Sequence, residues 1–464
     1  MSKSGQNYSN NGKNHNHQDL NNPAPLSGPM KGEKICVIGA GFVGIVTAAG
    51  FAKFGHQVAC VEKDAEKLAI LRSGHIPFFE GELEALIQSG LSSKRLSFES
   101  DMENSIEGTK AIFLTVGTPS SNGGRADLSA LNEIVELLSK KMKSGQILVL
   151  KSTVPIGTAN KLKDVFSQNG ASPDIAVINN PEFLREGSAV YDFFNPHRIV
   201  IGGDSNEAVE AIAHIYKMGM NHPVPMFTTN NETAEMIKYA SNVFLATKIG
   251  FVNELARFCD TVGIDTMEVA HIIGADPRIG QEFLNPGPGW GGSCLPKDLQ
   301  EFMGLADSLG VSLLIPKAVK EANQRQFDHV VSKVDALVGN IKGAKIGALG
   351  LTFKANTSDL RDSPAIPILE KLAEKGAEII AFDPAADGYN KEIVRGLKRT
   401  ADLYNTAIGA DCILILTEWP EFQTLDWKRM GESMRNKNIV DARNILAPEL
   451  LKRYGFNYSS MGQM

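Results

Sequence analysis

The chain has 464 residues, carries a net charge of −6, and is 43% hydrophobic and 22% charged. That length exceeds what one hydrophobic core normally sustains, so several domains are expected. No apolar run approaches the roughly 20 residues that cross a bilayer, and the lysines and arginines are scattered rather than gathered into a stripe, which argues against membrane and nucleic-acid partners.

Residues 1–30 are rich in Asn, Ser, Gly and His and lack the charged-then-apolar pattern of a signal peptide. They are expected to form a disordered tail, with His15 and His17 solvated rather than metal-bound. A β-branched run, Ile35-Cys36-Val37-Ile38, then meets the turn Gly39-Ala40-Gly41-Phe42-Val43-Gly44, a helix-like stretch from Ile45 to Phe54, and a second strand ending on Glu62. A Gly-x-Gly-x-x-Gly run between a strand and a helix, with an acid at the next strand end, is a dinucleotide fingerprint. Gly39 allows the tight turn, Gly41 the close approach of a pyrophosphate, and Gly44 the packing of helix on strand, while the helix N-terminus faces the phosphate charge. Glu62 would accept from both ribose hydroxyls and disfavour a 2′-phosphate, so NAD is preferred over NADP; Lys63 and Lys67 soften that preference.

Apolar runs at Ala111–Val116, Ile147–Leu150, Ile175–Ile178 and Ile199–Ile201 alternate with helical stretches, which predicts an α/β fold with a doubly wound parallel sheet. Lys151-Ser152-Thr153 follows one of these strands, where its hydroxyls either hold ligand or water or simply cap a helix. In Pro181-Glu182-Phe183-Leu184-Arg185-Glu186-Gly187, the two carboxylates four apart would share one face of a helical turn, either for proton transfer or as a solvated acidic turn.

Thr233–Val262 reads as one long helix running through Gly250 to about Cys259, apolar on more than one face and therefore buried on more than one side. It would bridge domains and pack against a second subunit. Lys238 and Asn242 lie one turn apart on it and would present an ammonium and an amide to a developing oxyanion, although a lysine there is by default exposed. Beyond residue 326 the first pattern returns: Lys345–Gly350 repeats Lys34–Gly39, and Ala377–Asp383 repeats the strand ending at Glu62. The expected organisation is a tail (1–30), a nucleotide-binding Rossmann domain (31–228), a central helical dimerisation domain (229–325) and a second Rossmann-like domain (326–464).

Of the five cysteines, Cys36, Cys60, Cys259 and Cys412 sit in apolar segments and read as small core residues, a pattern that fits a reducing cytoplasm. No metal-ligand spacing occurs, so no metal is expected. Cys294 differs. It stands in Gly289-Trp290-Gly291-Gly292-Ser293-Cys294-Leu295-Pro296-Lys297-Asp298, where glycines let backbone close on a ligand, Lys297 supplies a charge that favours thiolate, and Asp298 supplies a base.

In this order, the fingerprint, Lys151–Thr153, Pro181–Gly187, Lys238 with Asn242, Arg278-Ile279-Gly280, Phe283–Asp298 and Phe353-Lys354 resemble the UDP-glucose/GDP-mannose dehydrogenase family from about Lys34 to Arg443. The resemblance implies oxidation of a sugar C6 alcohol to a carboxylate with two NAD, Cys294 holding the aldehyde as a thiohemiacetal and then a thioester. It implies that Lys238 and Asn242 stabilise the sugar oxygen, that Asp298 assists proton transfer, and that Thr153 and Glu186 position the hydrolytic water. Cofactor contacts are implied for Gly39, Gly41, Phe42, Val43, Gly44, Glu62, Lys67, Thr118, Thr153, Glu186, Lys297 and Arg361. Substrate contacts are implied for Glu182, Phe183, Leu184, Lys238, Asn242, the loop residues Phe283, Leu284, Asn285, Gly289 and Gly291, Cys294, Phe353, Lys354 and Arg443, with Arg278 reaching the neighbouring subunit's substrate in a homodimer or larger homo-oligomer.

Glu62 stands where the family often has Asp, Trp290 where it has Tyr or Phe, and Leu295 where it has Phe. Cys294–Asp298 suits GDP-mannose enzymes too, whereas Arg278–Gly280 and Phe283–Gly289 suit the UDP-glucose branch. The expected substrate is UDP-glucose, with GDP-mannose or a UDP-N-acetylhexosamine as alternatives and a catalytically silent nucleotide-sugar binder as a reading of another class.

Overall fold

The computed structural model describes residues 32–121, 124–220, 222–386 and 393–463. The expected tail at 1–30 lies outside them. Two sheets organise the rest. The first has strands β1 (Lys34–Ile38), β2 (Gln57–Val61), β3 (Leu96–Glu99), β4 (Ala111–Leu114), β5 (Ile147–Leu150), β6 (Ala176–Asn179), β7 (Ile199–Gly202) and β8 (Met226–Thr229), in the order β3-β2-β1-β4-β5-β6-β7-β8. The order reverses at β1, and the crevice beside such a reversal is where open α/β sheets bind their ligands. The sheet is not parallel throughout: β6 meets β7 antiparallel through Asn179 and Gly202.

The second sheet, wholly parallel among the described residues, has β9 (Lys345–Leu349), β10 (Glu378–Phe382), β11 (Lys398–Arg399), β12 (Cys412–Ile415), β13 (Asn438–Asp441) and β14 (Asn457–Ser460), ordered β11-β10-β9-β12-β13-β14. Helices cover both faces of each sheet, so β4, β5, β12 and β13 are buried along their whole length, and the first three read as unbroken apolar runs.

The helix Phe42–Lys53 lies against the first sheet through small residues, with Gly44, Ala48, Ala49 and Gly50 buried. A Cβ on Gly50 would enter the ring of Phe193. The long helix spans Asn231–Val262, 32 residues or roughly 48 Å. The Asn230 side chain accepts from the Thr233 N–H at its start, and Gly263, at φ 71°, ends it in the left-handed conformation. The helices Leu295–Ser308 and Leu314–Val338 pack on it, and Val243, Ala246, Trp290, Leu299 and Val319 form a small core among them. Cys36, Cys60, Cys259 and Cys412 are buried, as their apolar contexts predict; Cys294 is exposed.

Candidate active site

The nucleotide fingerprint forms the turn its glycines predict. Gly39 has φ 103°, and the helix begins at Phe42 with Gly41 as its N-cap and no side chain occupying the cap. A Cβ on Gly44 would drive into the carbonyl oxygen of Gly39 and the Thr115 hydroxyl, so only glycine fits. At Gly41 the nearest neighbour of such an atom would be the Thr115 oxygen at 4.0 Å, which leaves an open face above the helix N-terminus. Glu62 follows β2 and accepts from the Lys63 N–H at 2.8 Å and the Asp64 N–H at 3.1 Å, with Lys67 Nζ 2.9 Å from its other oxygen. Burial opposes its ionisation, but Lys67 and these N–H groups hold the carboxyl below its usual range. Lys67 therefore acts on Glu62.

The helix-capping alternative for Lys151–Thr153 does not hold. The Ser152 hydroxyl donates to the Val116 carbonyl at 2.6 Å, and the Thr153 carbonyl accepts from Thr118 at 2.7 Å, joining the two loops that leave β4 and β5. Lys151 is buried, donates to Asn180 Oδ1 and the Tyr216 hydroxyl, and is pushed down to about 8 by burial.

Pro181–Gly187 is irregular, so Glu182 and Glu186 do not share a helical face. They point to separate partners. Glu182 is buried with Lys238, whose Nζ lies 2.7 Å from Glu182 Oε1 and 2.8 Å from its carbonyl. The expectation of an exposed lysine fails because this acid and the core around the long helix enclose it. Burial opposes the charge on Lys238, but Glu182, Cys294 and Asp298 together hold its pKa above the ordinary value. Phe183 lies under Arg198, with the guanidinium 3.9 Å from the ring centre, and the Leu184 N–H donates to Glu182 at 2.6 Å.

Glu186 accepts from the Ser293 hydroxyl at 3.1 Å and lies 3.4 Å from Arg361. Burial and the neighbouring Asp359 raise its carboxyl to about 7. Arg361 is held by a fork onto Asp359, and Lys354, whose pKa burial lowers, interacts electrostatically with Glu186.

Cys294 caps the helix Leu295–Ser308, with its sulfur 3.7 Å from the Ser293 hydroxyl. The residue is exposed, yet protein crowds its sulfur. That desolvation pushes the thiol up to about 11; Lys238 is the main opposing influence. The expectation that Lys297 favours thiolate is thus corrected twice: the cation that does so is Lys238, and desolvation outweighs it. Lys297 instead pairs with Asp298 at 2.6 Å, and the other Asp298 oxygen accepts from Asn242 Nδ2 at 2.5 Å. Asn242 is thereby committed to Asp298 rather than presented to an empty oxyanion position.

The glycine-rich loop closes as its residues suggest. Gly289 has φ 126°, and a Cβ on Gly291 would strike the Asp362 carbonyl. Phe283 sits at φ 65°, Leu284 is buried and Asn285 exposed. Phe353 lies over Gly292, and its carbonyl accepts from Arg443 at 2.7 Å. Arg278 stands apart from this cluster, 87% exposed and paired with Asp276.

Sequence reasoning missed the residues that fix the loop. Asn323 exchanges two bonds with the Trp290 backbone, each 2.9 Å, while Gln326 donates to the Gly287 carbonyl at 2.7 Å and Asn253 accepts its N–H at 2.8 Å. Buried amides on helices otherwise apolar at those faces were the available signal. Ser293, Asp359 and Glu301 were missed as well; the last, buried in the helix after Cys294, binds Arg125 and the Ala126 N–H.

Three family models match in succession: the NAD binding domain of the UDP-glucose/GDP-mannose dehydrogenase family at residues 33–219, its central domain at 232–325 and its UDP binding domain at 347–448. The chain belongs to the UDP-glucose/GDP-mannose dehydrogenase family. A UDP-glucose 6-dehydrogenase of Rhizobium meliloti is 40% identical over 93% of this chain and 99% of its own length. Among solved structures, a UDP-glucose dehydrogenase from Pyrobaculum islandicum matches with a TM-score of 0.86 at 33% identity, covering 96% of this chain and 100% of the other. A UDP-D-ManNAc dehydrogenase from Pyrococcus horikoshii matches with a TM-score of 0.81 at 28% identity, covering 92% and 99%.

The chain is accordingly an NAD-dependent oxidoreductase acting on a nucleotide sugar. The residues present fit NAD: the open face at Gly41, the uncapped helix N-terminus and an ionised Glu62 are the features a dinucleotide requires. No described helix is long and apolar enough to cross a membrane.

Proposed function

We propose that this chain oxidises the C6 alcohol of UDP-glucose to the carboxylate of UDP-glucuronate, in four electrons, through a covalent intermediate on Cys294. The observation that carries the reading is the arrangement around that thiol: Lys238, Asp298 with Asn242, and the Ser293–Glu186 pair, drawn from three separate segments, surround the one cysteine outside the core. NAD, when bound, supplies the hydride acceptor for each oxidation. Gly39, Gly41, Phe42, Val43 and Gly44 would hold it with Glu62, Thr118 and Thr153, and Lys297 and Arg361 would border it.

A thiol at about 11 is largely protonated at neutral pH, which protects it from oxidants before substrate arrives. Removal of hydride from C6, with loss of the hydroxyl proton, gives the aldehyde; addition of the thiol to it transfers the thiol proton to the carbonyl oxygen as the sulfur–carbon bond forms, giving a thiohemiacetal. Asp298, 2.6 Å from Lys297 and 2.5 Å from Asn242, takes and returns protons, and the Lys238 ammonium faces the negative charge that develops on oxygen. Removal of hydride from the thiohemiacetal carbon, with loss of the hydroxyl proton, leaves a thioester. Glu186, with a carboxyl at about 7, accepts a proton from water near Thr153; that water adds to the thioester carbonyl and expels the Cys294 sulfur.

The covalent link keeps the aldehyde in place between the two oxidations. Glu182, Phe183, Leu184, Phe283, Leu284, Asn285, Gly289, Gly291, Phe353, Lys354 and Arg443 would line the nucleotide sugar.

The choice of UDP-glucose is supported by the name of the 40% identical relative and by the match to a UDP binding domain. Homodimerisation is supported by Phe244, Phe251 and Phe258, exposed at seven-residue spacing on the long helix near Ile272 and Ile279; across that face Arg278 would reach the partner's substrate. Domain limits at 31–228, 229–325 and 326–464, and a cytoplasmic setting, complete the proposal.

The test is a panel of UDP-glucose, GDP-mannose and UDP-N-acetylhexosamines with NAD, measuring NADH formed per sugar consumed. Two NADH with UDP-glucose is expected. Turnover only with GDP-mannose moves the substrate, one NADH with free aldehyde removes the covalent route, and no turnover with any sugar favours a silent binder.

A further inference from the structure

Three consecutive residues outside every motif above, Phe78-Phe79-Glu80, reach three different parts of the site. Phe78 packs on Phe42 at the fingerprint, with ring centres 5.8 Å apart and planes at 60°. Phe79 leaves the first domain and meets Trp419 of the second edge-on, at 6.5 Å and 77°. Glu80 is buried, 5% exposed, and one oxygen accepts the Gly187 N–H at 2.7 Å while the other accepts the Ala189 N–H at 2.8 Å.

Gly187 follows Glu186 directly and Ala189 opens the short helix Ala189–Phe194, while the Ser188 N–H between them donates to the Arg185 carbonyl. Gly187 is already confined, with φ 77° and no room for a Cβ beneath the Asn356 carbonyl. The loop bearing Glu186 is therefore pinned from one side by Glu80 and from the other by the second domain. Lys354, which interacts with Glu186, also lies close enough to Glu80 to favour its charge, against burial that raises the Glu80 carboxyl above its usual range.

We infer that Glu80 is a positioning residue for thioester hydrolysis: its carboxylate, gripping the Gly187 and Ala189 N–H groups, sets where the Glu186 carboxylate stands over Cys294. This rests on the role of Glu186 proposed above. The physical demand is strict, since a displacement of about 1 Å in a reacting group costs on the order of a hundredfold in rate. A backbone donor pair is the right target for a carboxylate, because two charge-assisted bonds fix both the position and the tilt of the following turn.

Glu80→Gln keeps the shape but turns an N–H₂ toward one of the two N–H groups. Expected is a fall in kcat of roughly tenfold or more, with KM for UDP-glucose and for NAD within about twofold, and with an acyl adduct on Cys294 accumulating in acid-quenched samples read by intact mass. The single-turnover release of the first NADH stays near the wild-type rate, which a general loss of structure would not allow. Glu80→Asp, which keeps the charge but pulls the oxygens back by one carbon, provides the same measurements if Glu80→Gln does not fold.

Combining Glu80→Gln with Glu186→Gln is the decisive arm: the double variant hydrolyses the adduct no more slowly than Glu186→Gln alone if Glu80 acts through Glu186. Multiplying effects, wild-type turnover in Glu80→Gln, or equal slowing of both oxidations without adduct, would each overturn the inference. If Glu186→Gln itself hydrolyses normally, the role of Glu186 fails separately, and any slowing in Glu80→Gln then needs another route, which overturns the inference too.

Discussion

Glu186→Gln is expected to make the protein more stable while making it a poorer catalyst. In the folded chain the Glu186 carboxyl is raised from 4.5 to about 7, mainly by burial and then by Asp359, against the opposing pull of Arg361. Its pKa is higher folded than unfolded, so the folded state binds the extra proton between those values, and stability falls as pH rises through that window. Above it the full cost of holding the ion is present; below pH 4.5 none is.

Glutamine copies the protonated form and escapes the cost. With the Glu186 side chain only 13% exposed, solvent screening removes little of the effect, and the gain at pH 8 is about 3 kcal/mol. Urea unfolding of both proteins at pH 8 and at the acid end of the range measures it, each midpoint read with its slope. The difference is expected to be large at pH 8 and to shrink toward zero near pH 4.5. A variant less stable than wild type at pH 8, or a gain independent of pH, would refute the burial argument. Thioester hydrolysis by the wild type should rise through about pH 7, and that rise should vanish in the variant.

Lys238→Met leaves Glu182 buried without its cation and is expected to cost about 3–5 kcal/mol, most of it recovered in the Lys238→Met/Glu182→Gln double variant; equal losses in both would contradict the pairing. The same substitution removes the chief influence lowering the Cys294 pKa, so alkylation of that thiol should require higher pH than in wild type. Gly44→Ala should weaken NAD binding by at least tenfold, because the new Cβ would displace the Gly39 turn; calorimetric titration with NAD decides it. Phe251→Glu with Phe258→Glu should shift the molecular mass in solution from dimer to monomer and reduce turnover if Arg278 serves the partner's site.

The fold was largely legible. Unbroken apolar runs such as Ala111–Leu114 and Cys412–Ile415 can only be strands buried on both faces, and the glycine spacing at Gly39, Gly41 and Gly44 fixed one turn and the helix after it. The antiparallel step between β6 and β7 was not, because residues on either side have the same composition whichever way the strand runs.

In the site, identity was more legible than environment. Cys294 stood out by residue type and neighbours, while Lys238 and Glu186 were drawn into the site only by the family resemblance; the partner of Lys238 is 56 residues away at Glu182, and the Ser293 contact to Glu186 spans 107. The sign of the thiol shift depends on how closely the folded protein crowds the sulfur, which no local spacing records. Glu80 was invisible for the same reason: its partners are backbone N–H groups, which leave no mark in a sequence.

The account stands most directly on Cys294. Replacing it with serine leaves NAD and nucleotide-sugar sites intact but substitutes a hydroxyl whose ester with the sugar acid is a far poorer intermediate for hydrolysis. With UDP-glucose and excess NAD, the wild type should form two NADH per sugar over many cycles, while Cys294→Ser should stop without releasing UDP-glucuronate. Sustained formation of two NADH per sugar by Cys294→Ser, at the wild-type rate, would contradict the covalent mechanism.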